Sequence, residues 1–235
     1  MLAPALLLAV AAAPADVPLD IRSFQVVKQS SGPDDYYRVE IGPDGAYLHA
    51  AYRPPMDTMV RGIEAPQQFK RTLQGVRWRW RVESFPKGGD ECNPDVGDSA
   101  AGVFVSFKAG LKVMVIKYVW NATGKVGKTC ELANNLFFAK RIIVLRVAGD
   151  TDTWHSEEVD PRADFVRYFG GKLEDVPDFI GLAVLSDGDA TKSRVEADYG
   201  EFMLLGSRPS REAHPAEASA DPGMADAGVP ATEAR

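Results

Sequence analysis

The chain has 235 residues, of which 45% are hydrophobic and 26% charged, and its formal net charge is -6 at pH 7. This balance is typical of a globular protein. The negative charge provides no broad basic surface, which argues against nucleic acid and anionic membranes as partners. No apolar run reaches the roughly 18 residues that a membrane helix requires.

The N-terminus predicts export. Residues 6–13 form a short apolar segment, and Ala13-Pro14-Ala15 is typical of a signal-peptidase site with cleavage before Asp16. The usual positive charge is missing, because the first basic residue is Arg22. An Ala-rich terminus without a targeting role is the alternative. We therefore expect a signal peptide over 1–15 and a periplasmic or secreted mature protein with no integral membrane segment.

The rest of the chain divides by composition. Residues 16–35 resemble a loose entry segment, and 36–206 carry the pattern of a folded domain. Residues 207–235 are rich in Ala, Pro, Glu, Ser and Asp and hold almost no large apolar residue. Such a segment buries too little surface to offset its ordering entropy, so a disordered tail is expected.

Alternation of period two dominates the domain and predicts strands. It is clearest over 76–82, where valines and tryptophans share one face and arginines the other. Strands are predicted at 37–41, 47–52, 76–82, 103–107, 112–120, 142–147, 180–185 and 197–205. Asp160-Pro161 starts the single predicted helix and Gly170-Gly171 ends it. The pattern predicts an all-β, jelly-roll-like antiparallel β-sandwich with one short helix.

The two cysteines, Cys92 and Cys130, leave two possibilities open. In an oxidising compartment they could form a disulfide, but their spacing alone does not fix the geometry, so two free thiols remain the alternative. The chain has no CxxC motif and no Cys/His cluster, which argues against a structural zinc site.

The candidate ligand-binding residues are Arg77, Arg79, Arg81, Asp98 and Trp154. Three arginines on one face of a strand could hold acidic sugars or other carboxylates. The alternative is a solvated outer face in which neighbouring acids neutralise the arginines. Trp154 lies near a predicted loop and is the tryptophan most expected to be exposed, where it could stack on a sugar.

The loop 186–191 is a candidate calcium site. Asp187, Asp189 and the hydroxyl of Thr191 alternate, so their oxygens could point at one cation. Calcium prefers six to eight oxygen ligands, and the loop supplies three. A turn in which aspartates bond the local backbone explains the pattern equally well. No other cofactor is predicted.

Motifs spread over about 37–205 resemble the bacterial family called Domain of Unknown Function 3047. The segments that carry the resemblance are Trp78-Arg79-Trp80-Arg81-Val82, Gly97-Asp98 before Val103–Phe107, Lys117–Trp120, Trp154 with Asp164-Phe165 and Phe169-Gly170, Ile180–Ala183, Asp187–Thr191 and Tyr199–Phe202. The resemblance implies a domain but no established activity. Three departures stand out: Ser99–Gly102 replace the family's second Asp and its Arg, Ala190 replaces an Asn, and Glu201 replaces an Asp. If the family's Asp/Arg set forms a site, this member's site is altered.

The sequence favours a non-catalytic, extracytoplasmic binding module for glycan or cell-envelope material, with a polysaccharide or an envelope component as the partner. Its last strand also resembles that of jelly-roll carbohydrate-binding modules, which is an analogy of fold. A polysaccharide lyase or hydrolase that uses Arg, Tyr and a carboxylate or His49 is one alternative. A structural envelope protein is the other. The sequence contains no G-x-S-x-G, P-loop or dinucleotide-binding motif.

Overall fold

The computed structural model describes residues 14–27 and 35–206. The predicted signal peptide falls outside these residues except for its last two positions, and the predicted tail falls outside them entirely. The strands are β1 Val17–Pro18, β2 Gln25–Val26, β3 Tyr37–Gly42, β4 Gly45–Tyr52, β5 Arg61–Glu64, β6 Gly75–Ser84, β7 Ala101–Ala109, β8 Lys112–Asn121, β9 Thr129–Asn134, β10 Phe138–Val147, β11 His155–Val159, β12 Asp178–Leu185 and β13 Val195–Leu205. The α-helix is α1, Pro161–Phe169, and short 3-10 helices cover Ile21–Ser23, Gln67–Phe69, Pro94–Val96 and Leu173–Asp175.

The strands form two sheets that pack into a jelly-roll-like β-sandwich. The six-stranded sheet has the order β11-β6-β13-β4-β3, with β1 added alongside β13. The seven-stranded sheet has the order β2-β5-β12-β7-β8-β10-β9. One pair departs from the predicted antiparallel pattern, because β10 runs parallel to β8. After β8 the chain first forms the outer strand β9, and β10 then returns between the two.

Alternation on β6 places its large apolar residues in the core between the sheets. Trp78 and Trp80 have no exposed surface, and their rings meet edge to face with centroids 5.3 Å apart. Trp120 of β8 reaches them from the facing sheet, 5.8 Å from Trp80. Burying aromatic rings of this size is a main source of the fold's stability. The arginines of β6 lie on its opposite face.

The helix begins and ends where the sequence predicts. The side chain of Asp160 accepts hydrogen bonds from the backbone N–H groups of Arg162 and Ala163, which caps the first turn. Gly170 ends the helix with φ 85°, a left-handed conformation that costs glycine little. Phe165 packs from the helix onto Phe107, with ring centroids 5.1 Å apart.

The segment expected to be loose takes part in both sheets. Val17 of β1 pairs with Leu204 of β13, and β2 pairs with β5. The anchors are single apolar residues: Phe24 is 2% exposed and packs against Phe202. These short strands lack a repeating pattern, which is why the sequence did not predict them.

A disulfide between Cys92 and Cys130 ties the loop before β7 to the edge strand β9. Beneath this loop, Lys117 and Glu91 form a buried ion pair with 2.6 Å between Nζ and Oε1. The loop thus covers part of the outer side of the seven-stranded sheet.

Candidate functional site

The arginine row lies on the outer face of the six-stranded sheet, where the sequence places it. Each guanidinium has a carboxylate partner: Arg77 with Glu158 at 2.6 Å, Arg79 with Glu201 at 2.5 Å, and Arg81 with Asp198 at 2.5 Å. Second carboxylates lie nearby, with Asp44 3.6 Å from Arg79 and Glu83 3.4 Å from Arg81. The row is therefore neutralised, as the alternative interpretation of the sequence expected.

Trp154 lies over this row rather than projecting into solvent. It directly precedes β11, whose first residue pairs with Trp80, so its position on the sheet is beside Arg81. The guanidinium carbons of Arg79 and Arg81 both lie 5.1 Å from the indole centroid, within cation–π range. The rings of Trp154 and Tyr47 meet edge to face, with centroids 5.6 Å apart. Trp154 is half-buried.

A glycine, Gly200, and a β-bulge in β13 shape the surface beside Trp154. A Cβ added at Gly200 would lie 3.8 Å from the Cη2 of Trp154, so the indole packs across the glycine. The pairing of β13 with β6 shifts register between Gly200 and Met203. Within this bulge Glu201 adopts a left-handed backbone with φ 51°, which an Asp tolerates better than a Glu. The bulge turns the Glu201 carboxylate towards Arg79.

These groups enclose a shallow surface cleft, which we call the Trp154 cleft. It is lined by 42–47, Arg79, Arg81, Trp154, Gly200 and Glu201, and its volume is about 90 Å³. Pockets that engulf a small molecule are several times larger. The cleft therefore suits a ligand that lies across the surface and touches it with one part.

Next to the cleft, Asp198 links a histidine and an arginine below the surface. Asp198 is fully buried; its Oδ1 lies 2.8 Å from Nδ1 of His49, and its Oδ2 accepts a hydrogen bond from Nε of Arg81. The hydrogen bond to Asp198 raises the pKa of His49. Burial, followed by the charge of Asp198, raises the pKa of Glu83. Glu83, His49 and Asp198 have ligand atoms within 4.8 Å of one another, but the guanidinium of Arg81 already supplies the positive charge there.

The structure separates Asp98 from the arginine row. Asp98 precedes β7 in the other sheet, has no exposed surface, and accepts hydrogen bonds from the backbone N–H groups of Ala190 and Thr191. Asp98 therefore does not line the cleft that contains Arg79 and Arg81, and a role for it in ligand binding stays a prediction. The Gly97-Asp98 motif correctly predicts that Asp98 precedes a strand. That strand, β7, belongs to the seven-stranded sheet and not to the sheet that carries the arginines.

Asp98 instead joins the predicted calcium loop. Oxygens of Asp98, Asp187 and Asp189 lie within 4.8 Å of one another. Burial is the main cause that raises the pKa of Asp187 to about 7. Thr191 contributes its N–H to Asp98, and its hydroxyl is buried without a hydrogen-bond partner among the described residues. Calcium binding at this loop stays a prediction.

A second cleft, of about 280 Å³, lies between the ends of β10 and β11 and shares no lining residue with the Trp154 cleft. Trp120 and Val126 contribute apolar surface to it. Its cation, Arg146, is turned to the buried Glu157. Burial and the charge of Arg146 lower the pKa of His155, which also lines this cleft. This cleft offers a control location for tests of the first.

Of the five predicted ligand-binding residues, the structure brings together Arg79, Arg81 and Trp154. Arg77 lies on the same face but does not line the cleft. Sequence reasoning missed four residues that shape the site: Asp44, Tyr47, Gly200 and Glu201. The family pattern Tyr-Gly-Asp is a sequence signal for two of them, Gly200 and Glu201. The signal for Tyr47 is its place two positions before His49 on the same strand.

The fold and the cleft define a β-sandwich protein with an aromatic and charged surface site on one sheet. The model of the family described as protein of unknown function, DUF3047, matches residues 29–203. The chain belongs to this family, and the resemblance seen in its motifs is confirmed. No curated protein matches the chain significantly.

Among solved structures, the chain is similar in fold to several β-sandwich proteins. One is the family 11 carbohydrate-binding module from Clostridium thermocellum in complex with a β-1,3-1,4-mixed-linked tetrasaccharide, with 8% identity over 85% of this chain and 100% of that one, at a TM-score of 0.44. Another is the xyloglucanase domain of NopAA from Sinorhizobium fredii in complex with cellobiose, with 7% identity, 82% and 98% coverage and a TM-score of 0.43. Endoglucanase cel12A from Rhodothermus marinus has 12% identity, 81% and 98% coverage and a TM-score of 0.43. At these values none of them carries an argument about this chain's ligand. Within the described residues, no helix has the length and apolar character needed to cross a bilayer.

Proposed function

We propose that this protein is a non-catalytic, extracytoplasmic module that binds glycan of the cell envelope or its surroundings through the Trp154 cleft. The observation that carries the proposal is the combination of the half-buried Trp154 with Arg79, Arg81 and Glu201 on one open sheet face. The ligand is a polysaccharide chain lying across the sheet.

The chemistry of the cleft suits a sugar. A pyranose ring has an apolar face of C–H groups that packs on an indole or phenol ring, and both Trp154 and Tyr47 line the cleft. Its hydroxyls are donors and acceptors at once, so they can bond carboxylates and guanidinium groups together. Arg79 and Glu201, 2.5 Å apart, provide such a pair at the rim.

Two features support an extracytoplasmic location. The Cys92–Cys130 disulfide is of a kind that persists in oxidising compartments and is rare in the cytosol. The first strand begins at Val17, directly after the predicted cleavage position. The side chain of Asp16, the first residue after that position, accepts a hydrogen bond from the N–H of Gly206 at 2.9 Å. Cleavage there leaves the described strands complete.

The geometry favours binding over turnover. Glycoside hydrolases use two carboxyl groups that both reach the sugar, about 5–9.5 Å apart. Two carboxylates line the cleft, those of Asp44 and Glu201, and both are ion-paired with the same guanidinium, that of Arg79. Beside the cleft, Glu83 and Asp198 form a further acidic pair, but Asp198 is fully buried and held by His49 and Arg81. His49, which the lyase alternative would use as a base, is only 7% exposed and has its Nδ1 committed to Asp198.

The test is binding to a panel of soluble neutral and uronic-acid polysaccharides, measured by affinity electrophoresis and calorimetry on the mature protein. We expect Trp154→Ala to weaken binding at least tenfold, because it removes the aromatic surface of the cleft. Phe137→Ala is the matched control, since Phe137 is 58% exposed in the loop between β9 and β10, away from the cleft. Val126→Arg blocks the second cleft and should have no effect.

The outcomes separate the candidate functions. Binding that is lost in Val126→Arg but kept in Trp154→Ala would move the site to the second cleft and refute the proposal. New reducing ends or unsaturated ends in the polymer would replace the binding module with the hydrolase or lyase alternative. Co-fractionation with the envelope without binding to any polymer would favour the structural alternative.

A further inference from the structure

We infer that the Trp154 cleft selects uncharged glycans and disfavours uronic-acid polymers. The inference rests on the proposed glycan-binding function and names the class of ligand. It reverses the sequence-based expectation that an arginine row holds acidic sugars.

Carboxylates outnumber guanidinium groups around the row of Arg77, Arg79 and Arg81. Three guanidinium groups face five carboxylates, those of Asp44, Glu83, Glu158, Asp198 and Glu201, each within 3.6 Å of an arginine nitrogen. Protonation of His49, which is hydrogen-bonded to Asp198, adds at most one positive charge. The surface around the row therefore carries a net negative charge, and no arginine of the row is left without a carboxylate.

The carboxylates of the cleft are more exposed than its guanidinium groups, so a ligand meets them first. The side chains of Asp44 and Glu201 are 68% and 52% exposed, whereas those of Arg79 and Arg81 are 24% and 22% exposed. The carboxylates form the accessible rim, and the guanidinium groups lie below them against Trp154. A uronate approaching the cleft meets like charge before it reaches a cation.

A uronate and a hydroxyl differ in the free energy needed to bind Arg79, because this arginine is already paired with Glu201. To bind Arg79, a uronate would have to displace Glu201 or share the guanidinium with it, so it gains no separate ion pair and meets repulsion from Asp44. A hydroxyl has no such cost, because it can donate to a rim carboxylate while accepting from a free N–H of the same arginine. The arrangement thus discriminates by charge, and the arginines act as hydrogen-bond donors to neutral groups.

The test uses polymers that differ only in charge. A soluble β-glucan, a galactomannan and an α-glucan are each compared with their C6-oxidised derivatives, in which the primary alcohols are carboxylates. We expect the wild-type protein to bind a neutral member at least fivefold more tightly than its oxidised derivative, which corresponds to about one exposed charge interaction.

Two variants test the physical cause. Asp44→Asn with Glu201→Gln removes the rim carboxylates and frees Arg79, so the affinity for the oxidised polymer should rise by about five- to tenfold. Glu158→Gln is the matched control, because it frees Arg77, which does not line the cleft. Thermal unfolding of each variant confirms that the fold is kept.

The failures are distinguishable. If no polymer of either kind binds, the proposed function fails and this inference with it. If the wild-type protein prefers the oxidised polymers, glycan binding stands and the inference is overturned. A neutral preference that the double variant leaves unchanged would also overturn it, since the rim carboxylates would then not be the cause.

Discussion

Replacing Asp187 with asparagine should stabilise the protein above neutral pH. The carboxylate lies beside Asp98 and Asp189, and burial raises its pKa from an ordinary 3.8 to about 7. Lys117 is the nearby cation that opposes this rise. An asparagine keeps the carbonyl oxygen that accepts the backbone N–H of Asp189 and carries no charge to be buried.

The sign and size of the effect follow from linkage. Below about pH 4, Asp187 is protonated in both the folded and the unfolded chain and has no cost. As the pH rises, the unfolded chain releases its proton first, so folding stability falls until about pH 7. A rise in pKa from 3.8 to about 7 corresponds to about 4 kcal/mol. Because Asp187 keeps some solvent contact, we expect about 2 kcal/mol of this to be measurable.

The assay is urea unfolding of wild type and Asp187→Asn between about pH 4 and 8, with EDTA present. The two proteins should be nearly equal at the acid end, and the variant should be more stable by about 2 kcal/mol at the alkaline end. Glu174→Gln is the charge control, because the Glu174 side chain is 71% exposed. A variant that is less stable than wild type at pH 8 in EDTA would refute the reasoning. Calcium that stabilises wild type but not the variant would support the predicted calcium loop.

Two further predictions concern the frame that holds the cleft. Cys92→Ser with Cys130→Ser should cost about 4 kcal/mol, because the disulfide closes a 38-residue separation. Differential scanning calorimetry should show a fall in Tm of about 8–15 °C, and a fall of only a degree or two would contradict the prediction. Trp80→Phe should lower the free energy of unfolding by about 1–2 kcal/mol more than Trp78→Phe does. The reason is that Nε1 of Trp80 donates to Glu157 at 3.1 Å, whereas Nε1 of Trp78 is buried without a partner among the described residues. Equal costs in urea unfolding would argue against this hydrogen bond.

The main strand of the site was predictable because its signal is local. Alternation over 76–82 depends only on the two-residue period of extended chain, so it fixed both the buried tryptophans and the outward arginines. The helix was predictable for the same reason, since its cap and its terminal glycine lie within a few residues of the elements they define. The fold class follows from many such segments in succession.

The partners of the arginines could not be predicted in this way. Glu158, Asp198 and Glu201 reach β6 only because β11 and β13 are its neighbours in the sheet. Strand order is set by packing of the whole domain, and a period-two pattern carries no information about it. The sequence could therefore place three cations on one face but could not show that they are neutralised. The position of Asp98 before a strand of the opposite sheet could not be predicted for the same reason.

Short strands without alternation were missed. β9 reads Thr-Cys-Glu-Leu-Ala-Asn and β5 reads Arg-Gly-Ile-Glu, and neither has a continuous apolar face. Their pairing is determined by neighbours, such as the edge of β10 that β9 covers. β-propensity is weak evidence for such segments, because what it measures is the fit to a surface that the sequence does not show.

The two sheets differ in what covers their outer faces, and this difference supports the proposed location of the binding site. On the seven-stranded sheet, Val119, Ile142 and Val144 point away from the main core yet have no exposed surface, because they pack with Cys92 and its loop. That side acts as a second small core, fastened by the disulfide. The outer face of the six-stranded sheet instead presents the charged rim of the Trp154 cleft. The six-stranded sheet thus carries the open face that the proposed glycan binding uses, whereas a loop tied by the Cys92–Cys130 disulfide covers part of the seven-stranded sheet.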